Sequence, residues 1–351
     1  KACGSTVVLC TATQPLLDSN ILGKRALKAK EEQEIVSDVG KLFEELKRYE
    51  VYDLCKIGGW TEKEVVELVK EELRKTGSVL IIVNTKKSAE NLYQLLKDHS
   101  KAEVYHLSTN MCPVHRMKVL DNVKKCLPDK KPVVCVSTQL VEAGVDIDFG
   151  SVIRYLAGLD SIAQAAGRCN RHGERIQPGR VFIINPAVEN LSSLKDIKVG
   201  KDIAERVLSE YQANPDQFNR NTIGLKAMER YYKYYFYERI EEMCYPVSCD
   251  SDIGRIDNLF RILSTNIQSI QAYRRTHSSY PAIKLCQSFM AAAKAFQAID
   301  SPTRGIIVPY GEEGNSIISR LCSARDLEKQ YQLLREAQRY SVNVYCCQLN
   351  R

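Results

Sequence analysis

The 351-residue chain has no apolar run near the roughly 18 residues that a membrane helix needs, which excludes a helical span. No signal-like start of basic residues followed by an apolar core is visible in it. It contains no C-x-x-C pair, and Cys244 and Cys249 have no second pair at zinc-like spacing, which argues against a zinc framework. Internal repeats and low-complexity tracts are missing too, so a solenoid or a disordered tail is not expected. There is no G-x-x-x-x-G-K-[ST] loop: Gly23-Lys24, Gly40-Lys41 and Gly200-Lys201 each lack the glycines that let backbone amides cradle a phosphate. An acidic D-E-x-H box and a His-Asp metal cluster are likewise absent.

What is present is ordinary in bulk. Apolar residues make up 44% and charged residues 26%, as expected of a soluble globular protein, and 351 residues are enough for two or three domains with cores of their own. A net charge of +7 is compatible with a phosphate-rich partner but does not by itself define one. Thirteen cysteines suggest disulfides until they are placed; Cys10, Cys135 and Cys169 fall inside apolar or motif segments. They read as reduced thiols serving as small apolar residues, which predicts a cytoplasmic protein. The sequence starts at Lys1 and enters an expected strand, Thr6–Cys10, within a few residues, so the expectation is a piece of a longer protein.

From about Val51 to Asn185 short apolar runs alternate with helical patterns. Val79–Val83, Val133–Val136 and Val181–Ile184 are unbroken and rich in β-branched residues, as strands buried on both faces of a parallel sheet must be. Ala102–Leu107 and Val152–Leu156 are further expected strands. Thr61-Glu62-Lys63-Glu64 is a capping box ahead of an apolar stripe, Ser88 opens a second helix, and Val114, Met117, Leu120 and Val123 mark a third. This rhythm predicts an α/β domain with right-handed crossovers, whose ligands sit beyond the carboxyl ends of the strands. Lys24–Glu34 is a charged stretch, and Ile203, Val207 and Tyr211 suggest a connecting helix. Beyond it lie a tyrosine-rich helix over 225–243, a strand over 305–310, a turn over 311–314, a helix over 327–338 and a closing strand over 341–345.

Two patterns carry chemistry. Gln164, Arg168 and Arg171 are spaced by four and three, which predicts one helical face, N-capped by Asp160 or Ser161. Two guanidiniums on one face can meet a γ-phosphate as charge builds on it; a solvated basic face is the plain alternative. Upstream, Ser137-Thr138-Gln139 follows a buried strand and presents amides and a hydroxyl, a ready phosphate seat. Gly144 then turns the chain, and Asp146 can hold a ribose hydroxyl or a metal-bound water; a simple cap with a surface acid is the alternative. Tyr231, Tyr232, Tyr234, Tyr235 and Tyr237, beside Arg230 and Lys233, could stack on bases, although rings at helical spacing more often pack a helix onto its domain.

The order Ser137–Asp146 then Gln164–Arg171 resembles superfamily 2 helicases. Gly167-Arg168-Cys169-Asn170-Arg171-His172-Gly173-Glu174 is most similar to the CRISPR-associated helicase–nuclease of type I interference systems. Ile307–Gly314 and Ala337–Val342 resemble that family's accessory domain, in particular that of subtype I-C. The resemblance implies a remnant of a first RecA-like lobe over 1–22 and a second RecA-like lobe, a parallel sheet with flanking helices, over 23–190. It implies a linker helix over 191–222 and a mostly helical α+β accessory domain over 223–351.

It also implies roles. Thr11 and Thr13 match the motif that couples the nucleotide site to DNA. Thr85 and Lys86, Ser108 and Thr109, His115 and Arg116, and Thr138 and Gln139 match contacts to a single-stranded DNA backbone. Thr85 and Ser88 could equally be helix caps, and His115 an ordinary surface histidine. Gly144 and Asp146 would face ATP, with Gln164, Arg168 and Arg171 completing the catalytic site and Arg171 the arginine finger. The missing phosphate loop and acidic box imply that ATP and Mg2+ are held largely by an upstream first lobe, and a divalent metal by an upstream nuclease domain. The implied partner is an RNA-guided surveillance complex at its R-loop. The chain alone is expected not to hydrolyse ATP. The rival expectations are another superfamily 2 helicase working on RNA or DNA forks, and a stand-alone, non-catalytic binding module.

Overall fold

The computed structural model describes residues 8, 11, 13, 16, 35–36, 38–100, 102–128, 131–251, 253–282, 286–296 and 303–345. Among these the chain forms two compact units. One comprises the described residues up to Tyr232 together with 303–345, and the other those from Lys233 to Phe296. The expected strand Thr6–Cys10 (but for Val8) and the charged stretch Lys24–Glu34 lie outside the described residues.

The larger unit is built on a sheet of six parallel strands: β1 (Tyr49–Asp53), β2 (Ser78–Ile82), β3 (Glu103–Leu107), β4 (Val133–Ser137), β5 (Ser151–Tyr155) and β6 (Gly179–Ile184), in the order β1-β6-β5-β2-β4-β3. Every residue of β2, β4 and β5 is buried, which is why these stretches read as continuous runs and not as alternating ones. Ahead of the sheet is a short helix, α1 (Val39–Glu45). Helices α2 (Glu62–Thr76), α3 (Lys86–His99), α4 (Pro113–Cys126) and α5 (Leu159–Ala166) make the crossovers, and α6 (Lys195–Ala213) follows β6. Val65, Val69, Leu92 and Leu96 from α2 and α3 pack with Val79, Ile81, Val134, Val136, Ile153 and Ile184 in one fully apolar layer. Burial of each such side chain stabilises the fold by about 1.5–3 kcal/mol.

The capping box forms as written: Thr61 accepts from the Glu64 amide and the Glu64 carboxylate accepts from the Thr61 amide. α2 stops at Gly77, whose φ of +76° is the left-handed geometry that a side chain would resist. Thr85, and not Ser88, is the N-cap of α3. The expected turn at Gly311–Gly314 is instead the start of a helix, Gly311–Ser323. Gly311 alone, at φ +67°, redirects the chain, and Glu312 and Glu313 then sit in a first turn where the helix dipole favours acids. That helix and Leu327–Ala337 pack with an antiparallel pair, Thr303–Ile307 against Ser341–Tyr345, around Ile317, Ala337 and Tyr340.

The helix α7 (Leu225–Glu238) runs through Tyr232 into the smaller unit. Tyr231 and Tyr232 are buried, so these two rings serve packing, whereas Tyr237 is exposed. The smaller unit gathers Val247, Leu259, Ile262 and Ala292 into a modest core and carries a short two-stranded ladder between Pro246–Val247 and Asp257–Asn258.

Candidate nucleotide and nucleic-acid edges of the sheet

Because β2, β4 and β3 are neighbours running the same way, the segments that leave their carboxyl ends lie side by side. These are Asn84-Thr85-Lys86, Thr138-Gln139 and Ser108-Thr109. The Thr85 hydroxyl accepts from the Ser88 amide at 3.1 Å, so its capping role is real. Lys86 Nζ donates to Asn110 Oδ1 at 2.8 Å and ties the first of these segments to the third. Thr109 is exposed while Ser108 is buried, its Oγ 3.4 Å from the Asn110 amide. Thr138 caps a short 3-10 turn, Gln139–Val141, without spending its hydroxyl on the cap. His115 and Arg116 are half-buried in the first turn of α4, and the His115 ring stacks on Tyr310 with centroids 4.7 Å apart. Thr13 reaches the same unit through the Tyr232 hydroxyl, 3.2 Å from its Oγ1, and Thr11 Oγ1 donates to the Thr13 carbonyl.

The arginine motif departs from expectation in two ways. Arg168 and Arg171 do not share a helix with Gln164: α5 is N-capped by Gly158 and ends at Ala166, leaving Asp160 and Ser161 inside its first turn. What ends it is a competing pairing. Phe149 donates its amide to the Arg168 carbonyl and accepts from the Asn170 amide, both at 3.0 Å, in a parallel bridge with Cys169. Asn170 then takes φ +47°, which asparagine tolerates better than most residues, and donates Nδ2 to the Arg48 carbonyl.

The second departure is position. α5 starts after the carboxyl end of β5 and runs back across the sheet, and the 138–150 loop makes the same return to enter β5. Asp146, Arg168 and Arg171 therefore lie toward the amino end of β5, across the sheet from the three segments at the carboxyl ends. The polar motifs do not gather at one rim.

At that second edge Arg171 is 41% exposed, and its Nε is 2.8 Å from Asp146 Oδ1. The Arg171 amide donates to Asp148, and its carbonyl accepts from Arg48 Nη1. The hydrogen bond from Arg171 holds the Asp146 carboxyl below the usual carboxylate range. Gly144, at φ +71°, makes the turn that delivers Asp146. Gln164 is half-buried on α5. Arg168 is 6% exposed and turned inward: Nε donates to the Val141 carbonyl at 2.8 Å and Nη2 to the Glu142 carbonyl at 2.6 Å. A phosphate fits the exposed Arg171 better than the occupied Arg168. Among the described residues no group of three or more His, Cys, Asp or Glu could hold a metal, and no helix is long and apolar enough to cross a membrane.

Sequence reasoning missed the centre of the unit. Arg154, on β5, is fully buried with its Nε 2.9 Å from Glu142, and Asn84 and Ser161 complete the cluster. The signal was legible in principle, as an arginine interrupting the apolar run Val152-Ile153-Arg154-Tyr155-Leu156.

Six parallel strands with these crossovers and a helical C-terminal part give the chain a RecA-like α/β fold. Residues 75–174 match the family model for the CRISPR-associated nuclease/helicase Cas3, C-terminal, so in that segment the chain is similar to that family. The chain is 29% identical over 145 residues to the CRISPR-associated nuclease/helicase Cas3 of Methanothermobacter thermautotrophicus, an alignment covering 40% of this chain and 17% of that protein. It is also 30% identical over 146 residues to the ATP-dependent helicase Lhr-Core of Methanocaldococcus jannaschii, again 40% of this chain and 17% of the relative. The crystal structure of T. fusca Cas3-ATP superimposes with a TM-score of 0.51 at 16% identity, over 85% of this chain and 35% of that one, a likeness of fold. The matched portions are a minority of each relative's length.

Proposed function

We propose that the chain is the second RecA-like lobe and C-terminal accessory region of an ATP-dependent, single-stranded DNA translocase coupled to a nuclease, acting in type I CRISPR interference. The C-terminal stretches Ile307–Gly314 and Ala337–Val342 favour subtype I-C. The observation that carries the reading is the division of labour across one sheet. A surface guanidinium beside an acid, Arg171–Asp146, stands near the amino end of β5, and hydroxyl-bearing seats stand at the carboxyl ends of β2, β3 and β4.

In this reading Arg171 leaves Asp146 to meet a γ-phosphate bound chiefly by the first lobe, and Asp146 and Gly144 face the nucleotide. Gln164 lies on the same helix that leads to the arginines, and Arg168 fixes the loop that presents Asp146. Thr138, Gln139, Thr85, Lys86, Ser108 and Thr109 hold successive backbone phosphates of the strand, with Arg116 and His115 beside them. Thr11 and Thr13 link the two lobes. Mg2+ and the nuclease metal belong to the remainder of the protein, and an RNA-guided surveillance complex delivers the DNA. The similarity to Lhr-Core supports a second reading, a superfamily 2 helicase outside CRISPR interference.

Turnover measurements on the intact protein test the assignment. The expected result is ATP hydrolysis stimulated strongly by single-stranded DNA and weakly by RNA of the same length, with negligible turnover by residues 1–351 alone. Robust ATPase activity from the isolated chain, or equal stimulation by RNA, rejects it. DNA degradation that does not depend on a guide-loaded complex favours the second reading.

A further inference from the structure

We infer that Glu142 and Arg154 form a positioning bridge that couples the DNA seats to the arginine segment, an inference that rests on the reading above. The geometry is specific. Arg154 sits on β5 with no exposed surface, and its three nitrogens reach three separate functional segments. Nη1 donates to Asn84 Oδ1 at 2.6 Å, one residue before the Thr85 seat. Nη2 donates to Ser161 Oγ at 2.8 Å, in the first turn of the helix that leads to Gln164 and the arginines. Nε lies 2.9 Å from Glu142 Oε1, in the loop that runs from Thr138 to Asp146.

Glu142 is gripped from both ends. Its carboxylate accepts from Ser161 Oγ at 2.8 Å, and its backbone carbonyl accepts from Arg168 Nη2. Asn84 extends the cluster by donating to the Leu156 carbonyl and to Glu189, whose carboxylate lies 3.9 Å from Lys201. A displacement of any one segment must therefore move or break contacts to the other two. A low-dielectric interior makes that costly, because each charge would be left without its partner. Neither residue touches substrate in this reading; both act through Thr85, Thr138, Gln164 and Arg168. A fold needing only stability would do as well with apolar residues of similar volume, because replacing a buried ion pair by well-packed hydrophobic residues is often neutral or stabilising.

The test uses the intact protein, with E142Q, which keeps the shape and loses the charge, and the doubly uncharged variant E142M/R154M. Two quantities are read: the ratio of DNA-stimulated to unstimulated ATP turnover, and amide hydrogen exchange over 83–86, 138–143 and 158–164. The expected result is a fall of about tenfold in the ratio for both variants, in the usual range of coupling between sites, with the KM for ATP little changed. Exchange should rise together in all three segments of E142Q. An unchanged ratio in E142Q, or a ratio restored to wild type in a well-folded E142M/R154M, overturns the inference and leaves the pair a structural one. If the wild-type protein itself shows no DNA stimulation, the motor reading fails, and exchange alone decides the bridge. Loosening confined to 138–143 overturns it, and concerted loosening sustains it.

Discussion

The Arg171 guanidinium lies 2.8 Å from the Asp146 carboxylate, with the two side chains 41% and 64% exposed. An ion pair this exposed contributes about 0–1 kcal/mol, so a phosphate can displace Asp146 at little cost. Under the proposed motor function, Arg171→Ala in the intact protein should lower DNA-stimulated ATP turnover by about 10³-fold or more, the scale of an arginine finger. DNA affinity and the unfolding midpoint should stay near wild type. Stopped-time phosphate release and fluorescence anisotropy with labelled single-stranded DNA check the two halves, and undiminished turnover removes Arg171 from the chemistry.

Arg168 calls for the opposite expectation. Its guanidinium satisfies the Val141 and Glu142 carbonyls from a buried position. Arg168→Ala leaves both acceptors without their donor and should cost on the order of 2–4 kcal/mol in urea unfolding. Arg168→Lys should recover only part of that, because an ammonium cannot reproduce the fork. A loss of turnover in Arg168→Ala that merely tracks the unfolded fraction assigns the residue to loop architecture, and a loss seen in fully folded protein restores it to the nucleotide site.

Much of this was legible in the sequence because the strands of a doubly covered parallel sheet carry a strong signal. Val79–Ile82, Val133–Val136 and Val181–Ile184 could be read directly, and so could the Thr61 cap. What escaped was long-range. The spacing of Gln164, Arg168 and Arg171 fits a helix, but nothing local announces that Phe149 pairs with Cys169 and ends α5 early. That same return crossing carries the arginines away from the carboxyl rim. Thr85, Ser108 and Thr138 could be placed beyond strand ends because each follows an apolar run that forms a strand. Glu142–Arg154 was missed because the partners are 12 residues apart on different elements, and only the fold brings them together. Gly311 read as part of a turn, and indeed turns the chain, but the acids after it belong to a helix.

The N-terminus of α2 gives an acid-titration test. Glu64 accepts from Lys56 Nζ at 2.6 Å and from the Thr61 amide at 2.8 Å, and these contacts, Lys56 first, hold its carboxyl down at about 2. A carboxylate depressed on folding stabilises the native state above its ordinary range, and that contribution disappears as pH falls through the folded value. The difference in unfolding midpoint between wild type and Glu64→Gln should therefore narrow between the ordinary carboxylate range and about pH 2. Thr61→Ala should cost about 1 kcal/mol at neutral pH. A difference independent of pH locates the effect in the shape of the side chain and not in its charge.

His115 separates packing from DNA contact. Its ring stacks on Tyr310 at 4.7 Å and 19°, where the chain passes from the strand Thr303–Ile307 to the helix Gly311–Ser323; Val114 and Leu321 pack nearby. Burial first, then Lys118, lowers its pKa below the ordinary histidine value, while the neighbouring His106 is lowered mainly by its own burial. A histidine kept neutral on folding adds stability that is full above its ordinary pKa and is lost as pH falls below it, because the unfolded chain then binds the proton more readily. Acidification through that range should loosen 303–345 from α4, seen as amide exchange corrected for its intrinsic pH dependence. Tyr310→Ala should reproduce the loosening at neutral pH at a cost of about 1–3 kcal/mol, the ring contact plus its buried area. His115→Phe keeps the stack and removes the proton, so it should abolish the acid response; if the response persists, His106 is the titrating group. The same variant decides the residue's role on DNA. Unaltered affinity for single-stranded DNA makes His115 a packing residue, and a severalfold loss with the stack intact makes it a backbone contact as well.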